Sequence, residues 1–207
     1  MKDNYLTIEQ PTEGLFKDRG SKFLAYAYPV ETEEDIKIHL LRLKKLHPKV
    51  RHICYAYRLG LDNNNYRAND DGEPSGTAGK PILGQIDSFK VTNVLVAVAR
   101  YFGGTKLGVG GLINAYRTAA AEALNEAYII EKVIKDTFRL KVSYDTLNPV
   151  MRFLKKEKYA IANQNFGAQV FLDIQTRQSE SQLFLDKWNE YALTVGLTKV
   201  VRVKKLK

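Results

Sequence analysis

Arg100-Tyr101-Phe102-Gly103-Gly104-Thr105-Lys106-Leu107-Gly108-Val109-Gly110-Gly111 joins the most continuously apolar stretch of the chain to its most alanine-rich one. Upstream, residues 91–99 read as a strand buried on both faces. Downstream, residues 112–127 read as a helix. A glycine-rich link between a buried strand and a helix places backbone N–H groups at the helix N-terminus, where they are unpaired and the helix dipole favours an anion. Glycine lets that backbone come close to a ligand, and Lys106 and Arg100 add positive charge. The candidate phosphate- or nucleic-acid-binding set is therefore Arg100, Tyr101, Gly103, Gly104, Lys106, Gly110 and Gly111, with Arg117 on the helix that follows. The run is not a Walker A loop, since Gly108 is followed by Val109-Gly110, and a dinucleotide fingerprint would need glycine at Ile113. A tight packing turn with no ligand remains the alternative.

A second glycine-rich run, Asp70-Asp71-Gly72-Glu73-Pro74-Ser75-Gly76-Thr77-Ala78-Gly79, precedes it. The two runs hold 8 of the 14 glycines in 22 of the 207 positions, so special backbone geometry is concentrated there. The first brings carboxylates and a hydroxyl. Asp70, Asp71, Glu73 and Ser75, with His52 upstream, are the candidate catalytic residues, as acid, base or nucleophile. The same groups can instead shape turns and cap the segment after Pro74. An EF-hand frame fails, because it would begin at Arg67 and end at Ala78. Pro74-Ser75-Gly76 is not the nucleophile elbow of a hydrolase. His52 and Cys54 share one face of a strand, but two ligands without further cysteines do not make a metal site. No metal and no cofactor is expected. Tyr55, Tyr57, Tyr101, Phe102 and Tyr116 offer aromatic surface near basic residues, for stacking on bases or for simple cross-strand packing.

Outward from the two runs, residues 5–8, 15–16 and 22–28 alternate as strands. Thr32, with Asp35 three residues on, opens a helix whose apolar positions Ile36, Leu40, Leu43 and Leu46 run to a stop at Pro48. His39 is expected on a solvated face of this helix and His47 near its end. Residues 52–59 read as a strand, followed by a turn over 62–65. Beyond residue 137 the order changes to strand 138–142, helix 145–157, a hairpin of 159–164 and 168–176 around Asn165-Phe166-Gly167, a helix capped by Ser179, and a strand over 198–203. That βαββαβ order is the ferredoxin-like unit. The expected division is 1–136 and 137–207.

Charge follows the same division. Residues 1–136 carry 19 Lys and Arg against 17 Asp and Glu, whereas residues 137–207 carry 13 against 6, most of the net +9 of the chain. Such asymmetry favours a polyanionic partner for the C-terminal third. No stretch is long and apolar enough to cross a bilayer, no signal-peptide core follows the N-terminus, and Cys54 is the single cysteine. A cytoplasmic protein is expected.

The two glycine runs, with Gly20-Ser21-Lys22-Phe23 and His52-Ile53-Cys54-Tyr55-Ala56 before them, closely resemble the IMPACT family, bacterial YigZ-like branch, over essentially the whole chain. One departure is Asn114, where that branch often carries Arg. The resemblance implies an α+β protein. Its N-terminal domain would have the left-handed βαβ fold seen in a small-subunit ribosomal protein, GHMP kinases and elongation factor G domain IV. Its C-terminal domain would be ferredoxin-like, similar to elongation factor G domain V. It also implies a link to regulation of translation, so a non-enzymatic role with RNA or the ribosome, or a protein partner in translation, is the leading expectation. The alternative is a small-molecule enzyme, hydrolase- or peptidase-like or nucleotide-binding, with a pocket between the two glycine loops.

Overall fold

The computed structural model describes residues 3–61 and 64–196, together with the backbone of 202–206. Two compact units result. One is Tyr5–Lys132, and the other joins Val133 and the residues after it to the N-terminal Asp3 and Asn4. The first strand of the second unit begins at Lys135. The fold is α+β.

The first unit contains β1 (Asn4–Ile8), β2 (Thr12–Asp18), β3 (Ser21–Pro29), α1 (Glu33–Leu46), β4 (His52–Leu59), β5 (Asn65–Asn69), α2 (Gly79–Ser88), β6 (Val94–Tyr101), α3 (Gly108–Asn125) and β7 (Ile129–Val133). Five strands form one antiparallel sheet in the order β2-β3-β6-β4-β5, and β1 pairs with β7. β3 and β4 both run antiparallel to β6 between them, so the β3–α1–β4 crossover links parallel strands around a third. Strand alternation sorts the side chains between two cores. Phe23, Ala25, Ala27, Cys54, Ala56, Val94, Val96 and Val98 meet α2 and α3. Tyr26, Tyr28, Ile53, Tyr57, Leu95, Ala97 and Ala99 meet α1 on the other face. Coverage on both sides is why β6 reads as an unbroken apolar run.

Thr32 and Asp35 form the expected capping box: Asp35 N–H donates to the Thr32 hydroxyl and Thr32 N–H to the Asp35 carboxylate. Several elements differ from the sequence reading. β6 starts at Val94 rather than 91, because Asn93 turns the chain at φ 54° and Val91 only bridges to Leu6. α3 begins at Gly108, so the last glycines of the loop are its first turn. β5, α2 and β7 arise where no regular element was expected.

The second unit contains β8 (Lys135–Val142), α4 (Tyr144–Lys156), β9 (Ala160–Phe166), β10 (Val170–Arg177), α5 (Ser181–Thr194) and β11 (Arg202–Leu206). Its antiparallel sheet has the order β11-β8-β10-β9, the ferredoxin-like arrangement of a βαββαβ chain. Phe138, Leu140, Val142, Val170, Leu172 and Ile174 form a core with Val150, Phe153, Leu154, Phe184 and Trp188 from the two helices. Ser179 does not cap α5. A 3-10 turn, Gln178–Glu180, comes first, and Ser179 donates its N–H and hydroxyl to the Asp3 carboxylate instead. The expected turn at 62–65 and strand at 198–203 fall partly on residues 62–63 and 198–201, outside the described residues. Among the described residues no helix is long and apolar enough to cross a membrane.

Candidate functional site

The two glycine runs meet at one end of the first sheet, yet their polar groups are used in opposite ways. Asp70 follows β5 and turns its carboxylate back into its own loop. It accepts N–H groups from Gly76 at 2.8 Å, Ala78 at 3.0 Å and Gly79 at 2.8 Å. That is the cap of α2, whose N-cap residue, Ala78, has no side chain able to supply one. Burial by itself would raise the Asp70 carboxyl, but the three N–H donors outweigh it and hold the group below the usual range. Asp71 sits at φ 43° and accepts the Ile53 N–H at 2.7 Å, clasping the loop to β4. Its carbonyl lies 2.6 Å from His52 Nδ1 and accepts a hydrogen bond from it.

Glu73 reaches deepest. One oxygen, Oε1, accepts from Arg100 Nη1 at 2.7 Å and from the Tyr116 hydroxyl at 2.9 Å. The Arg100 and Glu73 side chains are only 10% and 5% exposed. The Arg100 guanidinium also lies over the rings of Phe23, at 5.4 Å, and Phe102, at 5.6 Å. Beneath it the Cys54 thiol is 3.3 Å from the Tyr116 hydroxyl and 2.9 Å from the Asp70 carbonyl. Burial pushes the thiol up to about 12 and raises the Tyr116 phenol further still. Both are neutral, so Cys54 has none of the thiolate character a nucleophile needs. The chemistry of the cluster is that of a buried, charge-compensated brace.

The second run is held by its backbone. Gly103 donates its N–H to the Ser21 hydroxyl at 3.1 Å, and a Cβ at Gly103 would overlap the Gly20 and Ser21 backbone. Gly108 turns into α3 at φ 72°, a conformation costly for any residue with a Cβ. No side chain caps α3. The N–H groups of its first turn, from Gly108 to Gly110, thus have no side-chain acceptor and lie beside the exposed Lys106 and Gly104, whereas the Gly111 N–H is the first that helix geometry pairs, with the Leu107 carbonyl.

Other expected site residues separate. Arg100 is bound to Glu73. Tyr101, one residue on in β6, points to the opposite face and meets His47 Nδ1 at 3.0 Å. Arg117 is exposed on α3 but lies nine residues past Gly108, about 13 Å along the axis. Ser75 is exposed on the first loop. Among the described residues no three His, Cys, Asp or Glu side chains group as metal ligands.

His47 lies at the C-terminal cap of α1, near the helix end as expected, whereas His39 is half-buried rather than on a solvated face. His39 stacks on Tyr28 at 4.1 Å, and His47 is buried between the hydroxyls of Tyr26, 2.8 Å from Nε2, and Tyr101. Burial lowers both imidazoles and keeps them neutral. The signal was the shared alternation of Tyr26 and Tyr101 on the face that α1 covers. His39, Asp35, Glu31, Tyr5 and Lys132 also line a cleft of about 350 Å³.

In the second unit, the face away from α4 and α5 carries Arg139, Lys141, Phe171 and Asp173. Arg139 makes a two-bonded pair with Asp173, at 2.7 and 2.8 Å. The β11 register places Arg202 opposite Lys141 and Lys204 opposite Arg139. Four basic positions thus form a two-by-two array, about 6.6 Å apart along the strands and about 5 Å across them.

The Impact N-terminal domain family matches residues 19–124. The IMPACT family member YvyE of Bacillus subtilis (strain 168) is 30% identical over 190 residues, 92% of this chain and 88% of that protein. The IMPACT family member YigZ of Escherichia coli (strain K12) is 30% identical over 174 residues, 83% of this chain and 85% of that protein. A crystal structure described as that of a hypothetical protein superposes with a TM-score of 0.73 at 25% identity, covering 100% of this chain and 99% of that one. The structure of Yih1, described as a two-domain translational regulator, is 30% identical over 59% of this chain and 47% of that one, with a TM-score of 0.35.

Proposed function

This chain belongs to the IMPACT family, and on that premise we propose that it is a non-enzymatic regulator of translation that binds RNA, on or off the ribosome, through its second unit. The observation that carries the reading is the placement of charge. Residues 137–207 hold 13 basic against 6 acidic side chains, and the β8–β11 register gathers four of the basic positions on adjacent strands. Phe171 stands on the same face of β10 as Asp173, beside Arg139, and offers a ring to stack on a base. The exposed first turn of α3 with Lys106 supplies a further phosphate contact in the first unit. The commitments of Asp70, Asp71 and Glu73 to capping, clasping and pairing support a structural rather than a catalytic role for the first loop.

Binding should be strongly electrostatic. With Arg139 held by Asp173, about three phosphate contacts to a single strand remain, and affinity falls roughly twentyfold between 50 and 200 mM salt. Lys141→Ala with Lys204→Ala reduces both the affinity and that salt slope. Filter binding to ribosomal RNA, with co-sedimentation on ribosomes, is the test. No RNA affinity at low salt together with no co-sedimentation overturns the proposal.

A further inference from the structure

α1 carries a second apolar stripe that faces away from the core. Ile36 and Leu43 are buried, but Ile38 and Leu41 are 56% and 59% exposed. With Glu34 and Lys45 they fall at positions 34, 38, 41 and 45, a spacing of four, three and four residues. That is the spacing of a coiled-coil seam, and at 100° per residue all four lie within one narrow sector opposite the buried stripe. Its ends differ in sign: acidic at the N-terminal turn and basic at the C-terminal turn.

We propose that this stripe is a homodimer interface, in which α1 packs antiparallel against α1 of a second copy of the chain. The numbers are self-complementary about a two-fold axis between residues 39 and 40. Ile38 meets Leu41 of the second copy, which is the a-to-d pairing of antiparallel helices, and Glu34 meets Lys45. The two helix dipoles oppose one another, and Asp35 faces Arg42 on one flank. A parallel arrangement would instead set Glu34 against Glu34 and Lys45 against Lys45. The Glu34 side chain is 71% exposed and pairs with Lys37 of its own helix at 3.2 Å, an exchangeable surface pair. Lys37 and Lys44 on the other flank are alike in charge. A single pair of 14-residue helices also buries less than a standard interface of about 1,600 Å². The dimer is therefore weak, concentration-dependent and salt-sensitive. It stands apart from the RNA reading, since it uses α1 of the first unit and no basic position of the second.

Sedimentation velocity of the full chain, without RNA, tests it. The wild type should form a dimer as concentration rises toward about 1 mM at low salt, and the dimer should weaken as salt rises to about 0.5 M. E34K or K45E alone replaces an attraction by a repulsion in both symmetric pairs and weakens the dimer about tenfold. E34K with K45E restores the sign at each contact and should return the affinity to within about threefold. Leu41→Gln abolishes dimerisation, with circular dichroism checking that the helix persists. A monomer at every concentration, a dimer indifferent to salt, or a double exchange as defective as either single one overturns the proposal.

Discussion

The loop of residues 70–79 and the run of residues 100–111 are both glycine-rich and are joined by the Glu73–Arg100 pair, yet they solve opposite physical problems. The first directs its side chains inward. Its carboxylates take three backbone N–H groups, one strand N–H, and a buried guanidinium with a phenol. Past Tyr101 the second contributes almost no side-chain bonds and is shaped by close backbone approach, which leaves α3 uncapped. A carboxylate-rich loop is therefore not by that fact an acid–base centre. Carboxylates are also the strongest available acceptors for backbone N–H groups in a segment too irregular to satisfy them itself.

The largest test of that contrast is Glu73→Ala. It leaves Arg100 buried without its counter-charge and should destabilise the first unit by about 3 kcal/mol, read as a lower denaturant midpoint. Adding Arg100→Met should recover much of the loss, because an apolar side chain tolerates that site. A Glu73→Ala protein as stable as the wild type would mean that the brace is not structural.

Asp70→Ala should cost about 1–2 kcal/mol through the lost cap. The pH dependence has a definite sign. The folded carboxyl lies below its unfolded value of about 3.9, so its contribution is complete above that value and disappears as pH falls through the folded one. The stability gap between wild type and variant is thus flat from about pH 7 to 5 and closes below about 4. A gap that widens in acid would contradict the assignment.

The smallest effects belong to the second loop. Gly108→Ala forces a Cβ into φ 72° and should cost about 1 kcal/mol. Gly110→Ala meets nothing within 4 Å and should be neutral or stabilise α3 by about 0.5 kcal/mol. Equal losses at both positions, by thermal unfolding, would show that packing rather than backbone conformation shapes this turn.

Much of the fold was legible along the chain. The capping box at Thr32 and Asp35, the doubly buried β6, and the βαββαβ order after residue 135 all rest on local signals of period, cap and turn. α2 was not legible. Its first turn contains Gly79 and Pro81, and its cap is Asp70, eight or more residues upstream, so no local motif announces it. The cap at Ser179 failed for a related reason: Asp3, far away in sequence, claims both of its donors. At the candidate site, sequence pattern drew attention to the residues but not to the partners each would take. Asp70, Asp71, Glu73, His52 and Arg100 were all singled out from composition and spacing. Which of them would face each other depended on the β4–β6 register, which sets His52 opposite Arg100.

By itself the sequence determined the family, the α+β class, the basic character of the second unit and the places where backbone must bend. These depend on residue type at a position, or on neighbours within a few residues. Only the tertiary structure decided that Arg100 is already neutralised by Glu73, that Tyr101 turns to the opposite face toward His47, and that α1 keeps a stripe free. Each of those is settled by pairs 27 or more positions apart, or by which face an element has already committed to a core. A charge acquires its chemical role from the group folding places beside it.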